Sequence, residues 1–125
     1  MVTSPSEESA RAASAQLCIE FWKLTKAAAK AAEGLEESQA RKLTSQIKFS
    51  ERQLSVLAEE LNLTVVAFDG EEFHAGLAAS ADNEDEFGAE TALVVTKTLE
   101  PAIVSGMSVV RSGRVLVGPK IEAGE

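Results

Sequence analysis

A length of 125 residues predicts one domain or an arm plus one small domain; the apolar fraction of 45 % is ordinary, and the net charge is −8. No apolar run approaches the roughly 20 residues a membrane span needs, residues 1–15 lack the layout of a signal peptide, and the single Cys18 excludes an intrachain disulfide and a two-cysteine metal clip; these absences point to the cytoplasm. The charge is uneven, with eight basic against nine acidic side chains in residues 1–62 and four against eleven in residues 63–125, a balance that repels nucleic acid and anionic lipid and suits solubility or a basic protein partner.

Ser4-Pro5-Ser6-Glu7 reads as a helix start, with Ser4 as the cap, Pro5 at the first helical position and Glu7 completing a capping box. A helix is predicted from about Pro5 to Glu33, supported by its alanines and by Lys26 and Lys30. Its seam is Ala10, Ser14, Leu17, Phe21, Leu24, Ala28 and Ala31, whose steps alternate four and three. Gly34 falls where helices often end. A second heptad series follows at Ala40, Leu43, Ile47, Ser50, Leu54, Leu57 and Leu61. Extending the first series lands on Ser38 and Lys42, so the phase slips across Gly34. Either the chain turns there into a helical hairpin, or one long helix passes through with changed supercoil; the slip favours the break. A hairpin buries part of each stripe, and a homodimer buries the rest as a four-helix bundle. Leu17, Phe21, Leu24, Ile47, Leu54 and Leu57 are the candidate oligomerisation residues. Alanine buries little area and aromatics are scarce, so association compensates for a thin core.

The pattern changes abruptly near Asn62. Residues 1–62 form a helical arm and residues 63–125 a small β-rich domain, making the fold class α+β. Leu63, Val65 and Val66 are strand formers, and Asp69-Gly70 signals a hairpin turn. Glu71 to Ala79 either pairs back or forms a short helix. Residues 80–90, with Asp82, Glu84, Asp85, Glu86 and Glu90, read as a mobile acidic surface loop. Leu93 to Thr98 is a strand that Glu100-Pro101 breaks. Met107 to Arg111 and Arg114 to Val117 read as two strands joined by Ser112-Gly113, with Pro119 at an edge or at the end of pairing.

No residue set announces chemistry. His74, the only histidine, has no nucleophile motif around it. Cys18 lies near the helical seam and reads as an inert buried thiol, since Lys23 and Lys26 are not placed to activate it. The acids of residues 82–86 lack the spacing of a calcium loop. Gly106, Gly113 and Gly118 open no helix after a strand, so they are turn residues and not a phosphate cradle. No catalytic residue, metal site or cofactor is expected. Arg111 and Arg114, two of only four basic residues in the β-rich half, flank one tight turn. With the apolar face near Val115 they form the expected partner-binding surface, arginine being enriched in interface hot spots. The competing reading pairs both arginines with the domain's own acids.

Two stretches carry a family likeness. Ala67-Phe68-Asp69-Gly70-Glu71-Glu72-Phe73-His74-Ala75 is similar to a segment of Phe-Asp-Pro, two or three residues, then His-Glu-Ala. Ser112-Gly113-Arg114-Val115-Leu116, followed by Pro119 and Ile121, is similar to Gly-Arg-Val-Leu-Arg-Pro-Ala-x-Val. Both segments belong to the GrpE-type nucleotide exchange factors, which the chain also resembles in its order of helices before a small β domain. Gly70 stands where that family has proline, and Val117-Gly118 where it has arginine before proline. The resemblance implies a co-chaperone that docks on a DnaK-type chaperone ATPase, holds its cleft open and promotes ADP release. The contact residues it implies are Arg114, Val115, Leu116 and Pro119, with Phe68 and His74 structural. The alternative is a non-enzymatic coiled-coil dimeric adaptor whose β domain binds another protein.

Overall fold

The helical half is a hairpin. In the computed structural model, which describes residues 5–121, helix α1 spans Pro5–Ala32 and helix α2 spans Glu37–Glu60, packed side by side. The Ser4 cap lies outside the described residues. The break at Gly34 is therefore a turn, as the slipped phase favours, and the single long helix is excluded.

The end of α2 explains the change of pattern at Asn62. Asn62 adopts a left-handed conformation, φ 59°, which asparagine tolerates better than most side chains. Its amide donates to the Glu59 carbonyl at 2.9 Å, and the Leu63 amide to the Ala58 carbonyl at 2.8 Å. These are the two bonds of a Schellman motif. Ala58 and Leu63 also bury against each other, the apolar contact that accompanies the motif.

Among the described residues seven strands follow: β1 Thr64–Val66, β2 Glu72–Phe73, β3 Ala79–Ala81, β4 Leu93–Glu100, β5 Ala102–Ser105, β6 Ser108–Arg111 and β7 Gly113–Pro119. They make two sheets, one of order β1-β5-β6 and one of order β2-β4-β7-β3. All neighbours are antiparallel except β3 and β7.

Three expectations are corrected here. Asp69-Gly70 is a turn, with Gly70 at φ 85°, but it joins no hairpin: β1 pairs with β5, and β2 with β4. The segment Glu71 to Ala79 neither folds back on β1 nor forms a helix. Ser112-Gly113 likewise joins no hairpin, because β6 pairs with β5 while β7 pairs with β4 and β3. The true hairpin turn lies at Gly106, φ 61°, between β5 and β6. Glu100-Pro101 and Ser112-Gly113 are both places where the chain changes sheet. At the second crossing the backbone runs so close to its neighbours that a Cβ on Gly113 would stand 2.9 Å from the Phe68 ring and 3.0 Å from the Glu100 carbonyl oxygen.

The three-stranded sheet lies between two cores. One core joins Ala15, Cys18 and Ile19 of α1 and Ala58 of α2 to Leu63 and Ile103, with Val65 packed against it. The other joins Phe68, Val95, Ala102, Val115 and Val117, with Val66 against it. Successive strand residues point to opposite faces. The paired residues Val65 and Ile103 therefore face the helices, while the paired residues Val66 and Ala102 face the four-stranded sheet. The order of layers is hairpin, three-stranded sheet, four-stranded sheet.

A polar clamp closes the second core. The Phe68 amide donates to Thr98 Oγ1 at 2.9 Å, and the Thr98 amide donates to Asp69 Oδ1 at 2.6 Å. Two register shifts bracket this point on β4; such bulges bend and twist a strand, here where the Phe68–Glu71 turn docks.

Candidate docking surfaces

The helical seam of α1 is displaced by one residue. Its buried positions are Ala15, Cys18, Ile19, Thr25 and Ala32, a stripe next to the predicted one. Thr25 is buried without cost to its hydroxyl, which donates to the Trp22 carbonyl at 2.8 Å. The predicted stripe faces outward: Leu17 is 71 % exposed and Leu24 65 %, with Phe21 at the margin. Small side chains on the inner stripe let the backbone approach the sheet and α2. On α2 the predicted series holds through Leu54, with Ile47 buried and Leu43 and Leu54 half-buried. Ala58 then takes the inward place, leaving Leu57 and Leu61 exposed. Leu61 borders the same shallow hollow as Ala10 and Ser14, and Leu17 follows Ser14 by one turn. Leu57 precedes Leu61 by one turn, so it lies on the side of α2 that borders this hollow.

The β7 surface differs from the expected one. β7 alternates, so Val115 and Val117 are buried while Arg114 faces solvent, Leu116 is half-buried and Pro119 is exposed. Val115 is wholly buried in the second core and presents no apolar face at the surface. Pro119 sits opposite Leu93 where the pairing ends. Arg114 donates to Asp82 Oδ2 at 2.7 Å and stands 3.4 Å from Glu100 Oε1. Glu100 also accepts from Lys23 Nζ at 3.2 Å, tying α1 to β4 and β7. Among the described residues Arg111 has no ion-pair partner.

The acidic segment is anchored. Its start is strand β3, which pairs with β7. The Asp82 amide donates to the Val115 carbonyl at 3.0 Å. The Asn83 side chain both donates to the Val117 carbonyl at 3.0 Å and accepts from its amide at 2.9 Å, extending the ladder. The expectation of a free loop fails at residues 80–83 because this side chain imitates a strand's backbone.

The Arg114 guanidinium, by hydrogen bond first and charge second, holds the Asp82 carboxyl below its ordinary range. A carboxyl lowered in the folded state contributes stability that is present above its unfolded pKa and lost as pH falls through its lower folded value. The stability difference between the native chain and Arg114→Met should therefore exist at neutral pH and vanish as pH falls through and below about 4, the usual carboxylate value. Both side chains face solvent, so salt should shrink the difference further. Urea titrations at a series of pH values check this; a difference independent of pH would remove the pair as its cause.

The candidates for chemistry occupy separate places. His74 is exposed and accepts a hydrogen bond at Nδ1 from the Gly76 amide at 3.1 Å, a local turn contact. Cys18 is buried, and burial pushes its thiol pKa up, the opposite of what a nucleophile needs. Among the described residues no group of three or more His, Cys, Asp and Glu is placed to hold a metal ion, and no helix is long and apolar enough to cross a membrane.

One feature is not legible in the sequence. A cleft of about 600 Å³ opens at the end of the second core, with Phe73, Phe87 and Leu93 on its floor and His74, Glu84 and Asp85 on its rim. Its apolar residues come from three separated segments with no shared periodicity, so no local pattern signals it. No protein family, curated protein or solved structure matches this chain.

Proposed function

We propose that this chain is a non-enzymatic docking protein, a homodimer joined through its helical hairpins, and that it acts as a GrpE-like nucleotide exchange factor on a DnaK-type chaperone ATPase. The observation that carries the dimer is the exposure of Leu17, Leu24, Leu57 and Leu61 on the hairpin. A large exposed apolar patch marks an interaction site; these leucines are read as one such patch, and pairing two of them makes a four-helix bundle. The exchange reading is supported by the two quoted segments and by the order of elements, two helices and then small sheets. In it the β unit contacts the ATPase and stabilises the open cleft, lowering affinity for ADP.

A specific observation favours a second reading, an adaptor for another protein. Of the contacts implied by the resemblance, Val115 is buried and Arg114 is paired within the chain. Arg111 is then the arginine better placed to meet a partner. Release of labelled ADP from a DnaK-type ATPase distinguishes the readings. The exchange factor should accelerate release, and Arg111→Ala should weaken capture of the ATPase by about 2 kcal/mol, the size of an interface hot spot. Unchanged release at saturating protein would leave the adaptor.

A further inference from the structure

We propose that the cleft between β2, the segment 84–92 and the start of β4 binds an extended basic peptide, with an apolar side chain on its floor and a lysine or arginine at its rim. The site is distinct from the hairpin flank and independent of the dimer and exchange readings. Its volume, about 600 Å³, falls in the range of ligand sites, which join an apolar lining to a few convergent polar groups. Phe73, Phe87 and Leu93 are all half-buried and all pack on the second core from this side. The core is thus incompletely covered here, and an apolar side chain entering the cleft completes it.

Charge sets the identity of the occupant. Glu84 and Asp85 line the cleft and have no ion-pair partner among the described residues. Two cations on and just after β7 are already engaged, Arg114 with Asp82 and Glu100 and Lys120 with Glu72. Adjacent carboxylates repel each other and any anion, so the complementary group must be a cation brought by the occupant. β2 is an edge strand of its sheet, and residues 73–75 continue along the cleft wall. β2 has one strand neighbour, so an extended chain on its open side can add to it, the geometry of strand addition. Floor, carboxylates and strand edge together fit an extended peptide in which basic residues flank apolar ones.

The test is fluorescence anisotropy on the full chain with three labelled peptides: GSKLFKKSG, its acidic counterpart GSELFEESG, and GSKSSKKSG, which keeps the charge and lacks the apolar pair. The first should bind, and the other two at least tenfold more weakly. Glu84→Gln with Asp85→Asn should weaken the first peptide at least tenfold. Ala89→Trp, which fills the cleft from an exposed position, should do the same without disturbing the fold. Glu36→Gln with Glu37→Gln, an equal loss of charge at the helical turn, should leave binding unchanged. No binding of the first peptide at millimolar protein would overturn the proposal. So would equal binding of the charge-only peptide, or equal weakening by the helical-turn variant, since either would reduce the effect to net charge.

Discussion

Leu17→Asp combined with Leu57→Asp is expected to turn the proposed dimer into a folded monomer. Both residues are more than half exposed in the single chain, at 71 % and 55 %, and neither belongs to the core that joins the hairpin to the sheet. The single chain therefore loses little from the exchange. Across a two-fold interface each leucine is used twice, and each that leaves water contributes about 1.5–3 kcal/mol. A carboxylate in its place must be desolvated without a partner. Association should weaken at least a thousandfold, about 4 kcal/mol, while the circular dichroism of the hairpin persists. Light scattering gives the mass. A sharp monomer mass for the native chain at micromolar concentration would end the dimer proposal. Leu54 is unsuitable for this test, because it packs on the first core and its replacement mixes unfolding with dissociation.

Ile103→Ala should be the most damaging of the conservative core truncations. Ile103 is wholly buried between the sheet and the helices, and truncation of such an isoleucine costs about 2–5 kcal/mol. Domains of this size are stable by only about 5–15 kcal/mol, so a large share would be lost. The fold has no other large side chain of β5 reaching the helices from that position. Because the residue couples two layers, helix signal and Trp22 fluorescence should fall in one transition. Val109→Ala, on the exposed edge strand β6, is the comparison and should shift stability by no more than about 0.5 kcal/mol. Urea denaturation followed by both signals measures each change. A loss below about 1 kcal/mol at Ile103 would mean that β5 does not carry the contact between the layers.

The helices were legible because their signals are local. Heptad steps, alanine content and the slip across Gly34 depend on residues within a few turns of each other, and both helices end within a residue or two of the predicted points. The switch near Asn62 was legible for the same reason, since a Schellman ending is a short-range device. The strands β1, β4, β6 and β7 were visible as runs of β-branched residues. β5 was missed: its four residues follow Pro101 directly, and the proline reads as an interruption when it marks a change of sheet.

Partner choice was decided by tertiary structure. A turn dipeptide such as Asp69-Gly70 or Ser112-Gly113 specifies that the chain bends and says nothing of which strand it then meets. The buried faces of Val65, Val66, Ala102 and Ile103 decided that, by dividing two cores across one sheet. The same holds for the sites. The sequence contains the leucines of the hairpin, but two apolar stripes lie one residue apart on α1, and only packing against the sheet selects the inner one and turns Leu17 and Leu24 outward. It contains Arg114 and Asp82, but 32 residues separate them, and only the parallel pairing of β3 with β7 brings them together. Local propensity is encoded over a few residues and survives reading in one dimension. Register, the burial of one stripe over its neighbour and the meeting of distant charges arise from minimising exposed apolar surface over the whole chain at once.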